Sequence, residues 1–316
     1  MRRLRVIRGW KDLQPGDRGA ALAMGSFDGV HRGHQKVIAL AAKAAGASGA
    51  PLGVITFDPH PRVYFRPDEP AFRLMKPDQQ ARALEGLGVD ILYVLPLDPE
   101  LANMTDREFA QRVLHEGLGV KHVAVGFDNS FGKNRTGSPE TMRQYGAEMG
   151  FGVSVAEEVA DGEGEKFSST AVREALREGR PQDAAKILGR PFAIEGAVQR
   201  GRQLGRKLGF PTANVPLADY VTPRFGVYAT RTRLPDGREI PGVSNIGVNP
   251  TVEGVTTALL EVWLSDFDED IYDQVIETDL VAFLRPEEKF ENLDVMTEQV
   301  LRDAQAARDL LAPDFD

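Results

Sequence analysis

Between residues 25 and 34 the chain reads Gly-Ser-Phe-Asp-Gly-Val-His-Arg-Gly-His, which sets His31 and His34 three residues apart. At that spacing the two imidazoles share one face of a helical turn. A helix opening here aims its first N–H groups and the positive end of its dipole at whatever binds above it, which favours phosphate. Gly25, Gly29 and Gly33 allow a backbone or a ligand to approach closely. Three roles compete for the histidines: helix caps, metal ligands, or contacts to the phosphates of a nucleotide. Two ligands leave a metal short of partners and no third is spaced nearby, so the nucleotide reading is preferred.

A second concentration of charge lies between Gly196 and Asn214, where Arg200, Arg202, Arg206 and Lys207 sit among glycines. From residue 195 to 233 seven basic residues meet only Glu195 and Asp219. This is either a local polyphosphate site or a solvated basic loop between strands; it lacks the Walker spacing of a P-loop. Residues 1–190 carry 26 basic and 25 acidic side chains, the remainder 12 and 22. All five histidines (His31, His34, His60, His115 and His122) fall in the first stretch. A proton acceptor in the second is therefore expected to be a carboxylate.

Short apolar runs, Ala20 to Met24, Gly53 to Phe57, Ile91 to Leu95 and Val123 to Gly126, alternate with helix-like stretches at Gln35 to Ala45, Pro77 to Gly86, Asp106 to Gly117 and Pro139 to Met149. Thr105 and Ser138 are placed to cap two of them. That alternation predicts an α/β fold with a doubly wound parallel sheet, whose ligands sit at the carboxyl ends of the strands. Two more helices are expected over Thr170 to Glu178 and Pro181 to Leu188. After them Gly189, Arg190 and Pro191 punctuate the chain. Strand signals then dominate: Phe192 to Val198, Val227 to Leu234, a turn at Asp236-Gly237, Ala258 to Leu264 and Leu280 to Leu284. They predict a small antiparallel β-barrel. Met296, Val300, Ala304, Ala307 and Leu311 mark one stripe of a closing C-terminal helix.

A length of 316 residues exceeds one ordinary core, and the expected division is 1–188 for the α/β domain and 189–316 for the barrel. With no cysteine a disulfide framework, a thiolate nucleophile and a Cys-ligated metal are excluded, and a reducing cytoplasm fits. A net charge of -9 argues against a nucleic-acid partner. The start lacks the apolar core of a signal peptide and no apolar run approaches the roughly 18 residues of a membrane helix. No membrane partner is expected, and self-association is left open.

Longer strings carry a resemblance. Gly25 to Gln35, Thr56-Phe57-Asp58-Pro59-His60-Pro61, Gly126 to Gly132 and Phe167-Ser168-Ser169-Thr170-Ala171-Val172-Arg173 are similar to the bacterial bifunctional riboflavin kinase/FMN adenylyltransferase family, or FAD synthetases. So are Gly205-Arg206-Lys207-Leu208-Gly209-Phe210-Pro211-Thr212-Ala213-Asn214, Asn245 to Thr251, Glu261 to Tyr272 and Phe283 to Phe290. The resemblance implies nucleotidyltransfer in the α/β domain and riboflavin phosphorylation in the barrel: riboflavin and ATP give FMN, then FMN and ATP give FAD and pyrophosphate. It implies that His31, His34 and Arg173 stabilise charge on the reacting phosphates. Gly25, Phe27, Gly33, Ser168, Ser169, Thr170, Gly205 and Arg206 are implied to bind ATP, and Phe57, Asp128 and Arg285 the flavin. Thr212 and Asn214 are implied to hold Mg2+, and Glu261 to accept the proton of the ribityl 5′-hydroxyl. Without the resemblance, Ser168 to Thr170 also read as an ordinary N-cap cluster, and Arg285 equally as a surface residue.

The chain departs from the family's pattern at Asn129, where an aromatic is usual, at Phe167, where a smaller aliphatic is common, and at Asp273, where glycine commonly follows the tyrosine. Two other functions stay open at this point. One is adenylyl transfer alone with the barrel as a flavin sensor; the other is a flavin-binding regulatory or RNA-associated module. Glu261, Thr212 and Asn214 are all present, which favours the two-step enzyme, and the acidic balance disfavours RNA.

Overall fold

The computed structural model describes residues 3–158, 166–200, 210–250 and 256–312, and of residues 249, 250, 256 and 257 the backbone only. The chain divides into two compact units: 1–69 with 77–168, and 70–76 with 169–316.

The first unit is built on six parallel strands, β1 (Arg5–Arg8), β2 (Ala21–Met24), β3 (Leu52–Asp58), β4 (Ile91–Pro96), β5 (His122–Gly126) and β6 (Gly152–Ala156). Their order is β1-β4-β3-β2-β5-β6. From β2 the chain moves outward through β3 and β4, then returns to the other side of β2 for β5 and β6. The winding reverses between β2 and β5, and the crevice above that reversal is where such sheets bind ligands. All four residues of β2 are buried, as expected for a central strand covered on both faces. The edge strand β1 is largely exposed and β6 mostly half-buried, and neither carries a continuous apolar run, which is why the sequence pattern alone omits them.

The helices of this unit follow local signals closely. Thr105 and Ser138 each cap a helix with a reciprocal capping box. The Pro77–Gly86 and Pro139–Met149 helices have the expected bounds. The stretch expected as one helix from Asp106 to Gly117 widens to π geometry over Phe109–Gly117. Phe109, Ala110, Val113 and Leu114 from it join Leu22, Met24, Ile55, Tyr93 and Val125 in one hydrophobic cluster.

The second unit begins with helices Ser169–Arg177 and Pro181–Leu188. Segment 70–76 belongs to it through Arg73, which donates its N–H to Asp219 O and accepts from Val221 N, both at 2.9 Å. Six antiparallel strands follow: β7 (Phe192–Ala197), β8 (Thr212–Pro216), β9 (Gly226–Arg233), β10 (Glu239–Pro250), β11 (Thr256–Leu264) and β12 (Val275–Arg285), in the order β7-β12-β9-β10-β11-β8. The Asp236-Gly237 turn joins β9 to β10, with Gly237 at φ 90, a conformation that suits glycine. Just beyond β7, Gln199 N donates to Asn214 O of β8 at 2.8 Å, so the sheet curls toward closure as a barrel.

The inner face of this sheet buries Tyr228, Ile246, Leu260, Val262 and Leu280 together with four hydroxyl side chains. Those hydroxyls satisfy one another, Thr230 with Ser244 at 2.8 Å and Thr232 with Thr278 at 3.0 Å, as buried polar groups must. On the opposite face Val227, Ala229, Val243 and Ala282 pack against Ala304, Ala307 and Leu311 of the closing helix Leu293–Leu311. Arg285 of β12 pins that helix: its Nε and Nη2 reach the buried Asp303 carboxylate at 2.8–3.1 Å, and Gln299 Nε2 adds 2.9 Å. Among the described residues no helix is long and apolar enough to cross a membrane.

Candidate functional site

The first cluster forms where β2 ends. Phe27 and Val30 stand at φ 50 and 45, a region costly for residues other than glycine and most of all for a β-branched one. Burial offsets the strain, since both side chains are about 1% exposed. Side chains clamp the loop's carbonyls. Gln80 Nε2 donates to Ser26 O at 2.9 Å and Phe27 O at 3.0 Å, Thr56 Oγ1 to Ser26 O at 3.2 Å, and Gln35 Nε2 to Val30 O at 3.0 Å. Neither Gln80 nor Thr56 had a signal in the sequence that marked it for this task.

The loop delivers His31 as the N-cap of helix Arg32–Ser48, its ring accepting from His34 N at 3.3 Å through Nδ1. That bond assigns the proton of the neutral ring to Nε2, which becomes a donor. The His31 and His34 rings stack with centroids 3.6 Å apart, and Phe27 lies 5.1 Å from His34. Gly33 keeps this packing open: a Cβ there would stand 3.0 Å from the His31 ring and 3.1 Å from Phe167 O. Gly25 lies beside the Phe27 ring. The cap reading and the ligand-facing reading of the histidines thus describe different nitrogens of one arrangement.

Across the switch point, Asn129 Nδ2 donates to Met24 O at 3.4 Å, tying the segment after β5 to the end of β2, and its Oδ1 is buried without a hydrogen-bond partner. Asp128 beside it points outward to Lys166 at 3.0 Å. Phe57, near the carboxyl end of β3, packs half-buried against the main cluster. Ser168 ends the first unit in sequence; Ser169, Thr170 and Arg173 open the second. Arg173 is buried, with Nε donating to Phe72 O at 2.7 Å and the guanidinium over the Phe72 ring.

In the second unit, register does the assembling. Thr212 and Asn214 of β8 pair with Trp263 and Glu261 of β11, and Glu261 pairs in turn with Asn245 of β10. Directly paired residues of antiparallel strands project to one face, so Thr212, Asn214, Glu261 and Asn245 share the face that carries the closing helix. Asn214 Nδ2 donates to Thr212 O at 3.3 Å, which turns its Oδ1 away from the strand's own carbonyl. The acidic run behind Glu261 is different in kind: Asp266, Asp268, Glu269 and Asp270 are exposed. Arg285 lies against Asp303, as above. Gly205 and Arg206 lie outside the described residues; Arg200, from the same basic loop, sits over the Tyr272 ring at 4.3 Å. Among the described residues no group of three or more His, Cys, Asp or Glu side chains could hold a metal.

Comparison with known proteins bears on both clusters. A family model described as FAD synthetase matches residues 13–171, and one described as riboflavin kinase matches residues 188–311. The bifunctional riboflavin kinase/FMN adenylyltransferase of Pseudomonas fluorescens is 41% identical over 310 residues, covering 98% of this chain and 99% of its own. That of Escherichia coli K12 is 38% identical, with 97% of each chain covered. A crystal structure from Streptococcus pneumoniae, described as a macrolide-efflux protein, is 30% identical with a TM-score of 0.86, covering 97% of this chain and 99% of that one. With the His31–His34 turn inside one matching segment, the Thr212–Glu261 row inside the other, and relatives aligned from end to end, the chain belongs to the bifunctional riboflavin kinase/FMN adenylyltransferase family.

Proposed function

We propose that the two reactions of this family are divided between the two clusters, with FMN made on the antiparallel sheet and FAD made at the turn after β2. The chain is an ATP-dependent transferase that phosphorylates riboflavin to FMN and adenylylates FMN to FAD with release of pyrophosphate. The proposed functional boundary follows Leu188, giving 1–188 for adenylyl transfer and 189–316 for the kinase, and a cytoplasmic location fits a chain without cysteine.

In the kinase step the ribityl 5′-oxygen attacks the γ-phosphorus of ATP, the bond to the bridging oxygen breaks, and ADP leaves. Glu261 takes the hydroxyl proton. The observation that carries this reading is the direct pairing of Glu261 with Asn214, which sets a base beside a neutral oxygen donor on a rigid sheet. Thr212 and Asn214 fit a hard divalent cation: both offer oxygen, they alternate on one strand face, and the Asn214 amide nitrogen is already engaged. They would hold Mg2+ with the phosphates of ATP, and the ion would supply charge neutralisation there. Arg206 and Gly205 are proposed to meet the same phosphates. Arg285 is proposed to act on the flavin, held in place by Asp303.

In adenylyl transfer the FMN phosphate oxygen attacks the α-phosphorus and pyrophosphate departs, so no protein nucleophile is needed and positioning supplies the rate. The His31 Nε2–H and His34 would donate toward the reacting phosphates at the helix N-terminus. Gly25, Phe27 and Gly33 shape that turn around ATP; Ser168, Ser169, Thr170 and Arg173 are proposed to grip its phosphates, and Phe57 and Asp128 the flavin. Incubating the purified chain with riboflavin, ATP and magnesium and separating the flavins by chromatography tests the whole reading. FMN followed by FAD is expected; neither product from riboflavin overturns the kinase half, and no FAD from supplied FMN overturns the adenylyl-transfer half.

A further inference from the structure

The row of side chains across the second sheet does not stop at Glu261. Register carries it from Asn214 through Glu261 to Asn245, which stands one strand spacing, about 4.8 Å, beyond Glu261 on the side away from Asn214. Asn245 Nδ2 donates to Glu287 Oε1 at 2.9 Å. Glu287 comes from the segment after β12, and its carboxylate is lodged over β10: a Cβ at Gly247 would collide with Glu287 Oε1. The hydrogen bond and the space kept by Gly247 both seat this otherwise exposed carboxylate beside the row.

We infer that Asn245 and Glu287 hold the ribityl hydroxyls of riboflavin and so position the alcohol that Glu261 deprotonates. This rests on the reading above, in which Thr212 and Asn214 face the nucleotide. If the phosphoryl donor lies on the Asn214 side of the base, the alcohol must arrive from the other side, where Asn245 and Glu287 stand. The sugar-alcohol chain that ends in the 5′-hydroxyl carries further hydroxyls at 2′, 3′ and 4′, each a donor. An ionised carboxylate only accepts, and an amide oxygen also accepts, so the pair matches a polyol.

Flavin fluorescence can measure binding of riboflavin and of lumiflavin, which has the same ring without the polyol, to the full-length protein. Asn245→Ala and Glu287→Ala are each expected to weaken riboflavin by about 10-fold while lumiflavin stays within about twofold. Glu287→Gln, which keeps an acceptor oxygen, should recover part of the difference. In turnover the loss should fall on KM for riboflavin rather than on kcat. Parallel weakening of both flavins would make the pair merely structural, and an unchanged preference for riboflavin would also overturn the inference. If Glu261→Ala still made FMN, the underlying reading would fail. If that variant were inactive while Glu287→Ala kept the full preference, only the role of Asn245 and Glu287 would fall.

Discussion

The turn after β2 and the row across the antiparallel sheet solve the same problem by different means. In the turn, chemistry-bearing residues are consecutive in sequence and are aimed by a strained loop that buried Phe27 and Val30 hold in place. In the row, Asn214, Asn245 and Glu261 come from three strands and are aligned by backbone register alone. A local site stores strain and depends on the side chains that clamp its carbonyls. A register site stores none in the side chains and depends on strand pairing staying in phase, because a slip of one residue would turn every member of the row to the other face.

If the two sites are chemically separate, Glu261→Ala should lower FMN formation by about 10³-fold or more and leave FAD formation from supplied FMN intact, as separate flavin assays would read. The double substitution His31→Ala, His34→Ala should do the reverse, with FAD formation down by about 10²- to 10³-fold and FMN formation preserved. Either change abolishing both activities in a folded chain would erase the contrast.

The next test addresses the sheet's support. Asp303 is buried and its carboxylate is bonded by Arg285 and Gln299, so Asp303→Ala leaves Arg285 with only the exposed Glu288, at 3.9 Å, as an ionic partner. It should cost about 3 kcal/mol of stability in urea unfolding, with FMN formation lost at lower denaturant than FAD formation. The smallest effect concerns pH. Burial pushes the Asp279 carboxyl up to about 6, opposed by the adjacent Arg231. An acid whose folded pKa lies above its ordinary value stabilises the fold most when protonated, and that contribution fades as pH rises through about 6. Unfolding measured across pH should therefore show this falling component in the native sequence and lose it in Asp279→Asn.

What could be read from the letters follows the same contrast. The parallel sheet, the capped helices and the His31–His34 turn were legible because their signals are local: apolar runs, Ser138 and Thr105 before acidic or polar first turns, glycines in an unbroken string. The edge strands β1 and β6 were not, since a strand that lends only Ile7, or Val153 and Val155, to the core shows no continuous apolar run. Thr212, Asn214 and Glu261 could be singled out only through the family resemblance, because nothing in their own spacing says that residue 214 meets residue 261. The contacts of Gln80 with the loop carbonyls and of Glu287 with Asn245 are hidden for the same reason; each side chain comes from a distant segment that sequence proximity does not reveal. Within the described residues the buried Asp303 was hidden too, a charged residue in a stripe read as apolar.

Arg285 belongs at once to the last strand and, through Asp303, to the closing helix, and Glu287 follows it by only two positions. The helix and the loop that reaches over β10 are therefore joined through one short ionic and covalent path. If Glu287 holds the vitamin as proposed above, a crosslink or antibody gripping residues 293–311 should change riboflavin affinity through Arg285 and the two residues that separate it from Glu287.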